Sequence, residues 1–169
     1  MRILGIDPGL ATIGIGIVEA ESVHRMRAVE WLTIETRAGT PAPERLEEIH
    51  RDLAEFLREC RPDCAVVERL FFETNAKTAM DVAQARGVIL LTLAEAQIPV
   101  IEPTPLQLKS TITGDGKADK RQVQEMLKRM LNLETIPKPD DAADALALAV
   151  YGAVVQIPGV VIADPKHAR

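Results

Sequence analysis

An α/β fold, with a mixed five-stranded sheet flanked by helices, is predicted by three features of the sequence. Three segments before residue 40 alternate apolar residues with small or polar ones, as strands do. From Pro43 the spacing turns helical, and helices then alternate with short apolar runs. One of those runs, Cys64-Ala65-Val66-Val67, is apolar on both faces, as a strand buried between two helical layers must be.

The first strand covers residues 2–7 and is stopped by Pro8-Gly9, a strong turn signal. The second covers residues 12–19. It places Ile13, Ile15 and Ile17 on one side and Gly14 and Gly16 on the other, where the missing side chains admit another backbone. A third strand over residues 25–36 completes an antiparallel meander. Residues 43–58 form a helix, with Leu46, Ile49, Leu53, Phe56 and Leu57 on its apolar side. The buried strand runs over residues 63–70. A long helix follows at 74–97, with its stripe at Ala79, Val82, Ala83, Val88 and Leu91, and then a short strand at 99–102. Pro103 and Pro105 open a helix ending near residue 112, Asp119 caps another that ends near residue 131, and a last helix reaches about residue 155. Residues 1–156 thus read as a single domain, and residues 157–169 as a flexible C-terminal tail.

At 169 residues, with 47% hydrophobic and 27% charged side chains, the chain suits one folded domain and excludes a disordered or collagen-like protein. No run approaches the roughly 18–20 apolar residues that span a bilayer. Because residues 2–7 already read as a core strand, no leader is expected before them. Cys60 and Cys64 have no Cys or His cluster beside them, which favours reduced thiols over a zinc site. A cytoplasmic protein without membrane attachment is expected. The formal charge is −5, but charge is unevenly spread. Residues 44–59 hold six acids against three arginines. Residues 106–129 hold six basic residues (Lys109, Lys117, Lys120, Arg121, Lys128 and Arg129) against three acids. Charge runs are most often solvated helix faces, so the basic segment needs a second argument before it becomes a binding surface.

Three carboxylates stand in apolar surroundings. Asp7 ends Ile3-Leu4-Gly5-Ile6, Glu68 follows Ala65-Val66-Val67, and Asp144 interrupts an alanine-rich helix. Asp141 lies three residues before Asp144, on the same side of that helix. Singly each has a plain explanation: a turn aspartate, a strand end emerging into water, an acid in the first turn of a helix. Together, in this element order, they point to a site. If the first and fourth strands are neighbours, Asp7 and Glu68 adjoin, and the last helix brings Asp141 and Asp144 to them. Uncompensated carboxylates repel one another, and a hard divalent cation with oxygen ligands, Mg2+ or Mn2+, resolves that repulsion. Two such ions about 3.5–4 Å apart would activate water for phosphodiester hydrolysis.

Four motifs, Met1-Arg2-Ile3-Leu4-Gly5-Ile6-Asp7-Pro8-Gly9, Val66-Val67-Glu68-Arg69-Leu70-Phe71, Gln84-Ala85-Arg86-Gly87 and Asp141-Ala142-Ala143-Asp144-Ala145-Leu146, resemble the RuvC family of Holliday-junction resolvases. The resemblance runs over residues 1–151. It implies an RNase H-like fold and a homodimer that cuts two opposed strands of a four-way DNA junction by magnesium-dependent hydrolysis. It implies Asp7, Glu68, Asp141 and Asp144 as catalytic metal ligands, with two ions per subunit and Mn2+ able to replace Mg2+. Some members carry His at the position of Asp141. The family's junction-binding lysines fall on Lys109 and Lys120, inside the basic segment, where phosphate contacts would hold DNA without reading sequence. Lys117 and Arg121 are candidate assistants. Phe71 matches the family's aromatic at the junction centre, where stacking on an unpaired base is worth ~1–3 kcal/mol. RuvA and RuvB, the branch-migration complex, are the partners the resemblance implies. Two other readings are a YqgF-type nuclease acting on RNA and a non-catalytic junction-binding module. The Glu68-Arg69-Leu70-Phe71 run and the Asp141/Asp144 pair favour the resolvase over the first. The second would not need four acids beside DNA. A two-domain sugar kinase or Hsp70-type ATPase does not fit in a chain of this length.

Overall fold

A computed structural model describes residues 1–70 and 76–156. Its elements follow the predicted order: β1 (Arg2–Asp7), β2 (Thr12–Ser22), β3 (Arg25–Glu35), α1 (Ala42–Cys60), β4 (Cys64–Val67), α2 (Ala76–Glu95), β5 (Val100–Ile101), α3 (Pro105–Thr113), α4 (Lys120–Met130) and α5 (Asp140–Gln156). The sheet is mixed and five-stranded, in the order β3-β2-β1-β4-β5. β1 to β3 form the antiparallel meander, while β4 and β5 join in parallel, β4 beside β1. The two parallel strands are shorter than expected, because the paired ladder stops at Val67 and at Ile101.

Alternation along the strands divides the core into two layers. Leu4, Ile6, Ile13, Ile15 and Ile17 pack toward Ile49, Leu53 and Leu57 of α1 and Ala85, Ile89 and Leu93 of α2. Ile3, Val18 and Val66 face α5, with Val123 and Leu127 of α4 behind it. The buried face of α2 is therefore Ala85, Ile89 and Leu93, whereas Leu91, assigned above to the apolar stripe, is 56% exposed. α2 is apolar on several sides between Val88 and Leu93, so spacing alone does not single out its inward face.

α5 is buried from Ala142 through Ala153 except at Asp144. It lies directly on the sheet because Gly5, Gly14 and Gly16 present no side chain to it. A Cβ at Gly5 would overlap the backbone of Ala145 and Ala149, and one at Gly14 the carbonyl of Asp141. The backbone that the small face of β2 admits is thus that of the helix carrying Asp144. Cys60 and Cys64 are both free and buried, and burial pushes the Cys60 thiol up to about 11. No described helix is long and apolar enough to cross a membrane.

Candidate active site

Asp7 is the last residue of β1, and the parallel register Ile6↔Val67 makes Glu68 its neighbour one step beyond the ladder. Both carboxylates therefore leave the C-terminal ends of adjacent parallel strands, the edge at which open α/β sheets bind ligands. Ala145 lies over Gly5, which brings Asp144 to the same level. These three acids line one cavity of about 280 Å3, together with Lys109 of α3, Lys120 of α4 and the apolar side chains of Leu108, Val123 and Leu148. A larger groove of about 680 Å3 opens at the other end of β4 and β5, where Arg58 and Arg61 accompany Asp63 and Glu95. It mixes charges of both signs and gathers no acidic set.

The carboxylates of the smaller cavity resist ionisation. Burial, then the charges of Asp144, Glu68 and Asp141, push Asp7 up to about 7, against a partial offset from Lys120. Glu68 is raised by burial and by Asp144, with Lys109 opposing. Asp144 is raised by burial, with Lys120 opposing. Lys120 donates to Asp144 Oδ2 at 2.9 Å and lies 3.4 Å from Asp140, which also pairs with Lys138 at 3.0 Å. Burial disfavours the Lys120 ammonium, but its bonds to the two aspartates outweigh that and raise its pKa. Lys120 is the first residue of α4, where the helix dipole disfavours a cation, so these acids and not the helix keep it there.

Asp141 is not among the residues lining that cavity; it lines another with Gly9, Thr12, Arg45 and Asp81, and its charge raises both Asp7 and Asp144. Lys117 and Arg121 are exposed and stand outside the lining of the acidic cavity. Phe71 and the tail at 157–169 lie outside the described residues. Two contributors were not singled out from sequence. Asp140 shares Lys120 with Asp144, and its only sequence signal is its place in the first turn of α5. Arg86, within the Gln84-Ala85-Arg86-Gly87 motif, reaches the backbone of Glu68.

The donor chemistry fits a hard divalent cation: oxygen ligands only, with their charges facing one another in a half-buried cavity. Among the described residues, no three acidic, histidine or cysteine side chains are gathered closely enough to hold an ion as they stand. The ammonium of Lys120 takes the contact on Asp144.

Fold and cavity together put the chain in the RNase H-like class of nucleases. The family profile of crossover junction endodeoxyribonuclease RuvC matches residues 3–152. The chain belongs to the RuvC family, whose members are metal-dependent nucleases. It is 54% identical over 150 residues to crossover junction endodeoxyribonuclease RuvC of Chloroflexus aurantiacus, covering 89% of this chain and 91% of the relative. Among solved structures, T. thermophilus RuvC in complex with a Holliday junction substrate superposes with a TM-score of 0.84 at 35% identity, over 89% of this chain and 92% of that one. The yeast mitochondrial Holliday junction resolvase Ydc2 shares the fold, with a TM-score of 0.65 at 14% identity over 88% of this chain and 76% of that one.

Proposed function

We propose that the protein resolves four-way DNA junctions by hydrolysing one phosphodiester in each of two opposed strands, as a homodimer, with Mg2+ or Mn2+ held by Asp7, Glu68 and Asp144. The observation that carries this reading is the convergence of those three carboxylates with Lys109 and Lys120 on one cavity, in a chain of the RuvC family. Two divalent ions per subunit, held by these carboxylates, would supply an activated water and charge stabilisation for the leaving oxygen. The residues do the rest. Asp7, Glu68 and Asp144 concentrate negative charge that disfavours DNA phosphates until it is neutralised. Lys109 and Lys120 attract the phosphate to the cavity mouth, and Lys120 exchanges its contact with Asp144 for one with DNA, leaving Asp140 as its anchor. Asp141, whose charge acts on Asp7 and Asp144, is the fourth candidate ligand. Lys117, in the turn before α4, and Arg121, in the first turn of α4, extend the basic surface. Phe71 stacks at the junction centre.

The dimer is supported by a line of exposed residues on α2. Met80 is 63% and Leu91 is 56% exposed, and Gly87 lies between them on the same face with open space over it. A two-fold pair of active sites suits a substrate that is itself nearly two-fold. Family membership supports work beside RuvA and RuvB in the cytoplasm.

Substrate class is tested by offering the purified protein a synthetic four-way DNA junction, the matched linear duplex and a structured RNA, each with Mg2+ or Mn2+. Symmetric nicks in the junction alone are expected. Preferred cleavage of the RNA would overturn the proposal in favour of an RNA-processing nuclease.

A further inference from the structure

The β1–β4 ladder ends at Val67, and the next residue along β1 that could donate to the Glu68 carbonyl is Pro8, which has no N–H, so that carbonyl lies beyond the sheet pairing while the Glu68 side chain lines the cavity. A half-buried carbonyl beyond a ladder still requires a donor. Arg86 of α2 supplies it: its Nε donates to the Glu68 carbonyl at 2.9 Å. The other side of the same peptide is also held, because the Arg69 N–H donates to the Pro103 carbonyl at 2.9 Å. Both ends of the Glu68–Arg69 peptide are therefore tied to elements outside β4. Arg86 is itself anchored, since its guanidinium pairs with Glu102, the residue before Pro103, and its side chain is only 16% exposed. The planar guanidinium fork holds its donors to the two acceptors in a fixed geometry, which the rotatable donors of an ammonium on a flexible stem do not impose.

We propose that Arg86 is a positioning residue for catalysis: by clamping the Glu68 carbonyl against Glu102 and Pro103, it fixes the direction in which the Glu68 carboxylate enters the cavity. Its Nε and Nη2 are both engaged within the protein and the side chain is largely buried, which assigns it a role inside the fold rather than on the DNA-facing surface. Nor does it act on Glu68 as a counter-charge. The cation that offsets Glu68 is Lys109, whereas Arg86 meets only the backbone of that residue. This explains a motif, Gln84-Ala85-Arg86-Gly87, to which the reaction itself gives no part: Ala85 is buried in the core and directs the neighbouring Arg86 to the end of β4.

The inference rests on Glu68 being an active-site carboxylate, so the test carries Glu68→Gln alongside Arg86→Gln, Arg86→Lys and Glu102→Gln. Three quantities are measured on the full chain: single-turnover cutting of a pre-bound synthetic junction, Mn2+ affinity by calorimetry in the absence of DNA, and junction affinity without divalent metal. Arg86→Gln and Arg86→Lys are expected to cut at least tenfold more slowly and to bind Mn2+ at least fivefold more weakly, with junction affinity within twofold of wild type. Glu102→Gln is expected to show smaller losses in the same two quantities. Wild-type Mn2+ affinity in a folded Arg86→Gln protein overturns the clamp, whatever happens to cutting, because loss of a DNA contact or of general stability leaves metal affinity in the folded fraction untouched. Should Arg86→Gln fail to fold, Arg86→Lys and Glu102→Gln decide by the same two readouts. Normal cutting by Glu68→Gln defeats the role of Glu68 itself, whereas an inactive Glu68→Gln beside a normal Arg86→Gln defeats the clamp alone.

Discussion

Asp7 is a carboxylate at the end of an apolar strand with three other acids acting on it, and its pKa of about 7 against an ordinary 3.8 is the consequence. The sign of its effect on stability follows from proton uptake. Between these two values the folded chain binds a proton that the unfolded chain has released, so the benefit is fully present below about 4 and is lost as pH rises through 7. Above 7 an ionised Asp7 burdens the fold by something on the order of 3 kcal/mol, allowing for solvent at the cavity mouth. Asp7→Asn is therefore expected to raise the melting temperature by several degrees at pH 8 in the absence of divalent metal, with the gain vanishing near pH 4. Added Mn2+ should stabilise the wild type at pH 8 and leave Asp7→Asn nearly unchanged. Thermal melts across pH, with and without the metal, check both statements. A uniform gain at every pH would mean that charge is not what Asp7 contributes.

At the scale of the elements, the site depends on how closely α5 lies on β1 and β2. Gly5→Ala places a Cβ into the backbone of α5, and no rotamer change relieves a clash with main chain. A loss of about 2–3 kcal/mol or more in urea denaturation is expected, at the upper end for overpacking. A neutral Gly5→Ala would show that α5 is free to lift from the sheet. Much of this arrangement was legible beforehand. Alternating Ile13, Ile15 and Ile17 against Gly14 and Gly16 announced a strand with a close neighbour, and the doubly apolar Cys64–Val67 announced a strand buried on both faces; that it pairs with β1, the condition on which Asp7 adjoins Glu68, is what the register adds. What stayed hidden depended on angles. Residues three apart on a helix are offset by about 60° around the axis and about 4.5 Å along it, enough to send Asp141 and Asp144 to different cavities. The inward face of α2 was misread because its sequence is apolar nearly all round. Arg86 could not be assigned a partner, because its contact is with a backbone carbonyl that no side-chain pattern records.

At the scale of the whole molecule, the proposed dimer and the proposed cut are linked. A charge on the exposed line of α2 should separate subunits without disturbing the core, since Leu91 and Met80 lie outside both buried clusters. Leu91→Glu is expected to move the protein from dimer to monomer in sedimentation equilibrium with an unchanged far-UV spectrum, and to convert paired junction cuts into single nicks. An unchanged dimer would show that the subunits meet elsewhere. The acids and the lysines of the cavity make opposing demands on DNA: the lysines draw phosphate in, and the carboxylates repel it until their charge is met. That opposition gives the most direct test of the central claim, which is to measure junction binding and junction cutting side by side for the wild type and Asp7→Asn at neutral pH. The expected result is that cutting is abolished, by a factor of a thousand or more, while the junction is bound as tightly as by the wild type or more tightly. Retained cutting, or binding and cutting lost together by a folded protein, would contradict the account.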